Sequence, residues 1–148
     1  EESLGQSSFK RREDSNGQNT EIGGVMKISI TRIFTFDSAH YLPNHEGKCQ
    51  NLHGHTYKLE VSVAGPVQTS GPETGMVLDF GTLDSIVKRN VLNILDHTDL
   101  NGIFENPTAE EMVSWLWEEL NVPYTGTGAE LEKIRLWETP NSYAEVGK

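Results

Sequence analysis

From Lys27 onward apolar and polar residues alternate along the chain. In KISITRIFTFDSAH, Ile28, Ile30, Phe34 and Phe36 share one parity with an interruption at Arg32, which predicts a strand with one face on a core. A loop with Pro43, Asn44 and Gly47 follows. The alternation returns from about His53 to Ala64, with Tyr57, Leu59, Val61 and Val63 on one face and Thr56, Lys58, Glu60 and Ser62 on the other. After the turn-rich stretch GPVQTSGPETG the period becomes helical. Leu83, Ile86, Val87, Val91, Ile94 and Leu95 form one stripe, and Asp79 is a suitable N-cap. A second helix buries Met112, Leu116 and Leu120, flanked by Val113 and Trp117. Its start has two candidates: Asn106 with Pro107 at the first helical position, or the capping box Thr108-x-x-Glu111. Pro123 and the TGTG run end it, and two final strands are expected over about 130–138 and 142–146.

The resulting order, ββααββ, predicts an α+β domain over residues 26–148 with an antiparallel sheet. Two helices cover one sheet face and leave edge strands open, which argues for association between copies. Residues 1–25 differ in kind. They are rich in Ser, Gln, Asn and Gly with little apolar spacing, and are expected to form a flexible polar tail.

Composition narrows the function classes. The 148 residues suit one domain, and the formal net charge of −10 speaks against phosphate-dominated nucleic-acid binding and against an anionic membrane surface. No apolar run approaches the roughly 20 residues of a membrane span, and no signal-peptide pattern opens the chain. A lone cysteine forms no intramolecular disulfide and fits a reducing compartment, so a soluble, cytoplasmic protein is expected.

The candidate chemistry lies at strand ends. His53 and His55, two apart at the start of the second strand, point the same way, and Gly54 between them would allow a close approach to the backbone. His40 ends the first strand, across the expected pairing from them. Three histidines so placed suit a zinc ion with an open fourth position. Cys49, four residues before His53, is either the fourth ligand of a closed structural site or a base whose thiolate the metal favours. His45 reads as a solvated loop residue or a rival ligand. Asp96 and His97, after the first helix, form a carboxylate–imidazole pair of the kind that shuttles protons, or simply a helix C-terminal histidine beside a charge. Glu138 follows Ile134 and Leu136 on one parity, and sits either at an exposed strand end or where it meets a guanidine-like heterocycle edge.

In this order, the segments FDSAH, CQNLHGH, GMVLDF, LDHTDLN, ENPTAE and WET resemble the 6-pyruvoyltetrahydropterin synthase superfamily, and best its 6-carboxytetrahydropterin synthase branch. The likeness spans about residues 27–146. The three-residue spacer between Cys49 and His53 is shorter than in animal pyruvoyl-forming members, while WETPNSY departs from the pattern at the substrate end. The resemblance implies a T-fold whose subunits join edge strands into a barrel, commonly a hexamer of two trimers. It also implies zinc on His40, His53 and His55, with Cys49 as the base. Asp96 and His97 would be a relay supplied by a neighbouring subunit. Glu138 would hold the pterin, with the Thr108 region building the pocket. The implied activity converts 7,8-dihydroneopterin triphosphate to 6-carboxytetrahydropterin, releasing acetaldehyde and triphosphate. The alternatives are a pyruvoyl-forming reaction, side-chain cleavage of a dihydroneopterin, or a non-catalytic zinc-binding interaction domain.

Overall fold

The computed structural model describes residues 21–22 and 25–148. Most of the stretch expected to be a tail lies outside the described residues, and Glu21–Ile22 pairs antiparallel with Val25–Met26. The domain is built on five strands: β1 (Ile28–His40), β2 (His53–Gly65), β3 (Thr98–Asp99), β4 (Glu130–Thr139) and β5 (Ser142–Gly147). Their spatial order is β3-β1-β2-β4-β5. β1 and β2 pair over their full length, from Ile28 opposite Gly65 to His40 opposite His53.

The expected antiparallel four-stranded sheet is corrected by β3, which runs parallel to β1 at Ser38 and Ala39. Two residues are too few for a period to register. They pair because the preceding helix ends against the edge of β1, where the chain turns extended at Asp96.

Helix α1 (Phe80–Val87) starts where expected, with the Asp79 carboxylate accepting from the Gly81 N–H at 2.6 Å. It then loosens into a π-helical stretch, Lys88–Leu92, before a last α-helical turn at Asn93–Leu95. The sequence explains why. Leu83, Val87, Val91 and Leu95 are all fully buried, and their spacing is four throughout. On an ideal helix each four-residue step drifts about 40°, so three steps would carry the stripe off its face. A wider turn takes up the drift. The same adjustment turns Ile94 outward, 43% exposed, against its expected place on the stripe.

Helix α2 (Ala109–Leu120) resolves the two candidate starts. Thr108 is its N-cap, accepting from the Glu111 N–H at 3.2 Å, while Asn106 and Pro107 precede it. Met112, Leu116 and Leu120 are fully buried against the sheet.

Both helices lie on the face carrying Phe34, Phe36, Tyr57, Leu59, Val61, Val63, Ile134 and Leu136. Arg32 shares this parity at the margin of the layer, where its guanidinium lies 3.4 Å from Asp84 of α1. The opposite face is polar. There the Trp137 and Tyr143 rings meet at a tilt with centroids 4.5 Å apart, Lys58 lies over the Trp137 ring, and Arg135 bridges Glu145 at 2.8 Å. Close backbone approach occurs at Gly65 rather than Gly54: a Cβ on Gly65 would lie 2.6 Å from the Gly128 carbonyl oxygen, whereas on Gly54 it would meet only the Ser38 oxygen at 3.8 Å.

Candidate metal centre and active site

The β1–β2 register puts His40 opposite His53, with Ser38 opposite His55 and Phe36 opposite Tyr57. All three histidines therefore project from the helix-covered face at one end of the sheet. Their ligand nitrogens lie within 4.8 Å of one another, and His40 is fully buried.

Backbone carbonyls fix two of the rings. His40 Nδ1–H donates to the Pro107 oxygen at 2.8 Å, and His53 Nδ1–H donates to the Asn51 oxygen at 2.7 Å. Each ring thus turns Nε2 toward the other, 3.0 Å apart. With Nδ1 protonated on both, the two Nε2 atoms carry lone pairs that face each other. Such an arrangement repels unless a cation or proton sits between them. His55 Nε2 is buried without a hydrogen-bond partner among the described residues. Burial, partly countered by the Glu138 carboxylate and reinforced by the other two rings, holds the His55 pKa below its ordinary value. Three imidazoles whose ligand nitrogens converge in this way fit a divalent cation. Nitrogens on a tetrahedral zinc lie about 3.3 Å apart, close to the 3.0 Å between His40 Nε2 and His53 Nε2. Tyr57, fully buried beneath the cluster and stacked on Phe36 at 4.9 Å, closes its floor. Its hydroxyl oxygen lies 3.4 Å from His40 Nδ1.

Cys49 lies in the short 3-10 turn Lys48–Gln50, half-buried, and its carbonyl accepts from the Leu42 N–H at 2.7 Å. Its sulfur is not among the converging ligand atoms. His45 is exposed and its Nδ1 accepts from the Gly47 N–H at 2.9 Å, so it serves its own loop.

Glu138 shares the inner-face parity of Ile134 and Leu136 and sits at a bulge. Trp137 pairs with Tyr143 and Thr139 with Ser142, leaving Glu138 without a partner on β5. The Glu138 carboxylate lies 3.8 Å from His55 Nε2, with about a quarter of its side chain exposed. It is half-buried and turned toward His55 rather than standing at a fully exposed strand end. Thr108 is half-buried with its hydroxyl engaged as a helix cap.

Asp96 and His97 do turn toward each other, although neighbouring residues commonly point apart. His97 adopts φ +56°, which brings its Nδ1 to 2.9 Å from Asp96 Oδ1. β1 holds this bend. The Asp37 N–H donates to Asp96 Oδ1 at 3.1 Å, and the His97 N–H donates to the Asp37 carbonyl at 2.6 Å. The Asp37 N–H, and after it the imidazole, hold the Asp96 carboxyl below its ordinary pKa. Ser38 donates its hydroxyl to the Leu95 carbonyl. The His97 side chain is 78% exposed, and no hydrogen bond joins the pair to Cys49 among the described residues. His97 borders an open cleft of about 600 Å³ between Asp37–Ala39, Gly54–Thr56 and His97–Asp99. Asp37, Ser38, Tyr57 and the Pro107 carbonyl escaped the sequence reading. Tyr57 shares the parity of His53 and His55, which was a usable signal, whereas a backbone acceptor carries none.

The fold is shared with known enzymes. The Caenorhabditis elegans 6-pyruvoyl tetrahydropterin synthase superposes with a TM-score of 0.71 at 26% identity, covering 84% of this chain and 97% of that one. Residues 29–148 match the family described as 6-pyruvoyl tetrahydropterin synthase, and the chain belongs to that family. A Haemophilus influenzae relative, 6-carboxy-5,6,7,8-tetrahydropterin synthase, is 39% identical over 80% of this chain and 97% of its own. A Pyrococcus furiosus relative, 37% identical over 76% of this chain and 91% of its own, is named dihydroneopterin monophosphate aldolase. Among the described residues no helix is long and apolar enough to cross a membrane.

Proposed function

We propose that this protein is a zinc-dependent lyase that converts 7,8-dihydroneopterin triphosphate to 6-carboxytetrahydropterin, releasing acetaldehyde and triphosphate. The observation that carries the reading is the pair of Nε2 atoms of His40 and His53, 3.0 Å apart with both Nδ1–H groups committed to carbonyls, beside the unpartnered His55 nitrogen. His40, His53 and His55 would hold the ion, whose chemistry is to bind side-chain hydroxyls and acidify the neighbouring C–H. Cys49 would take that proton on its thiolate. Asp96 would hold the tautomer of His97, which carries protons to and from the thiol. Glu138 would accept two parallel N–H donors from the amino-pyrimidine edge, a match of geometry as well as charge. The Thr108 segment would border the same pocket.

Incubation with dihydroneopterin triphosphate, with the product identified by mass, tests the assignment. A 6-carboxytetrahydropterin product is expected. A second reading, side-chain cleavage of a dihydroneopterin, is favoured by the aldolase relative. It would leave a one-carbon alcohol on the pterin, with a different mass. A pyruvoyl product would retain all three side-chain carbons.

A further inference from the structure

The segment after the first helical run grips β1 along its outer edge, one residue after another. Asp96 and His97 take the two backbone groups of Asp37, and Thr98 and Asp99 pair with Ser38 and Ala39. The grip ends at Asn101. Its Oδ1 accepts from the Tyr41 N–H at 2.8 Å, and its Nδ2 donates to the Tyr41 carbonyl, also at 2.8 Å. A side-chain carboxamide thus does what a third strand residue would do, satisfying both backbone groups of the residue directly after His40. Asn101 is itself fixed. Its own N–H donates to the Asp99 carboxylate at 3.0 Å, and the neighbouring Leu100 is fully buried. On the other edge of β1 the pairing with β2 ends at His40 and His53, so beyond that point Asn101 alone among the described residues holds the Tyr41 backbone from the side.

We infer that Asn101 is a positioning residue for the metal centre: it locks the end of β1, and so sets where His40 stands relative to His53 and to the Asp96–His97 pair. The inference rests on the tri-histidine reading and extends it to a residue that touches neither metal nor substrate. The physical ground is the tolerance of the site. His40 Nε2 must meet two nitrogens whose own backbone is fixed by β2, and freedom at Tyr41 feeds directly into the His40 ring. Outer groups that orient ligands typically govern affinity by 10–100-fold.

The test measures Co(II) affinity of the full chain by its visible absorption, beside the melting temperature of the metal-free protein. Asn101→Ala removes both bonds. Asn101→Asp keeps the acceptor for the Tyr41 N–H and sets an oxygen against the Tyr41 carbonyl. A control variant, Thr31→Ala, removes the 2.6 Å hydrogen bond to Ser62 toward the far end of the same strands. The expected result is a loss of about 10–100-fold in Co(II) affinity for Asn101→Ala and at least about tenfold for Asn101→Asp. Thr31→Ala should lower the melting temperature and leave affinity unchanged. Should Asn101→Ala prove insoluble, Asn101→Asp carries the test alone. Wild-type affinity in either soluble Asn101 variant overturns the inference while leaving the tri-histidine reading intact, as does an equal affinity loss in Thr31→Ala. A wild-type chain that binds no Co(II), or a His53→Ala variant that binds it as well as wild type, overturns the reading and the inference with it.

Discussion

Two imidazole nitrogens 3.0 Å apart, with the opposite nitrogen of each ring donating to a carbonyl, are a demand for a positive charge. That demand is what makes single substitutions informative here. His53→Ala removes one of the facing lone pairs, and zinc per chain, measured by atomic absorption, is expected to fall from about one to near zero. Full retention would refute the ligand set. Cys49 sits outside the converging atoms, so Cys49→Ala is expected to keep its metal and lose about 10²–10⁴-fold in turnover, the usual contribution of a general base. If zinc leaves together with activity, the thiolate is a ligand and the closed structural site is the better account. Alkylating Cys49 in the wild type should give the same answer by a different route.

At the scale of elements, the helix start at Thr108 separates two roles that one residue could hold. Its hydroxyl caps α2, a bond whose loss typically costs about 1 kcal/mol. Thr108→Ala is therefore expected to lower stability by about that amount, read from denaturant unfolding. If Thr108 also borders the pterin, KM should rise as well, and Thr108→Ser should restore both. An unchanged KM would assign the residue to the cap alone. This ambiguity also marks how far the sequence could be read. Period-two alternation located β1 and β2, because their inner faces carry recurring apolar residues despite the interruption at Arg32. Parity alone brought His40, His53 and His55 to one side. The π-helical stretch was hidden because a four-residue spacing looks helical whichever turn accommodates it. β3 was hidden by its length of two residues. The inward aim of Glu138 follows the parity of Ile134 and Leu136, whereas the bulge beside it against β5 is a property of pairing that the sequence of β4 does not contain. The cradle of the Asp96–His97 pair is made of Asp37 backbone groups, which every residue type would supply.

At the scale of the molecule, the same Asp37 cradle raises the question of what the pair serves. The His97 imidazole is largely exposed, and within the chain no hydrogen bond carries it to Cys49 among the described residues. The sheet is also open on both sides. Among the described residues β1 has a strand neighbour on its outer edge only at Ser38 and Ala39, and β5 has none, so long rows of backbone groups face outward. Ile28 and Ile33 are exposed on β1, and Tyr143 on β5. An assembly in which edges of neighbouring copies pair would satisfy those groups, and would let the dyad of one copy reach the thiol of the next. The prediction is complementation. Cys49→Ala and His97→Ala proteins should each be nearly inactive alone, and the dyad and thiol left intact in each lie on different chains. Mixed, dissociated and reassembled, they should regain activity, since some interfaces then join an intact Cys49 to an intact His97. For a random one-to-one mixture about a quarter of the sites would be whole if each site draws on two chains, so recovery toward a quarter of wild-type turnover is the expected ceiling. Exchange must be verified independently, by native mass spectrometry of isotopically labelled subunits. Mixed assemblies that form and stay inactive would mean that the thiol and the dyad act within one chain, with proton transfer reaching Cys49 through the cleft beside His55 and His97 rather than across an interface.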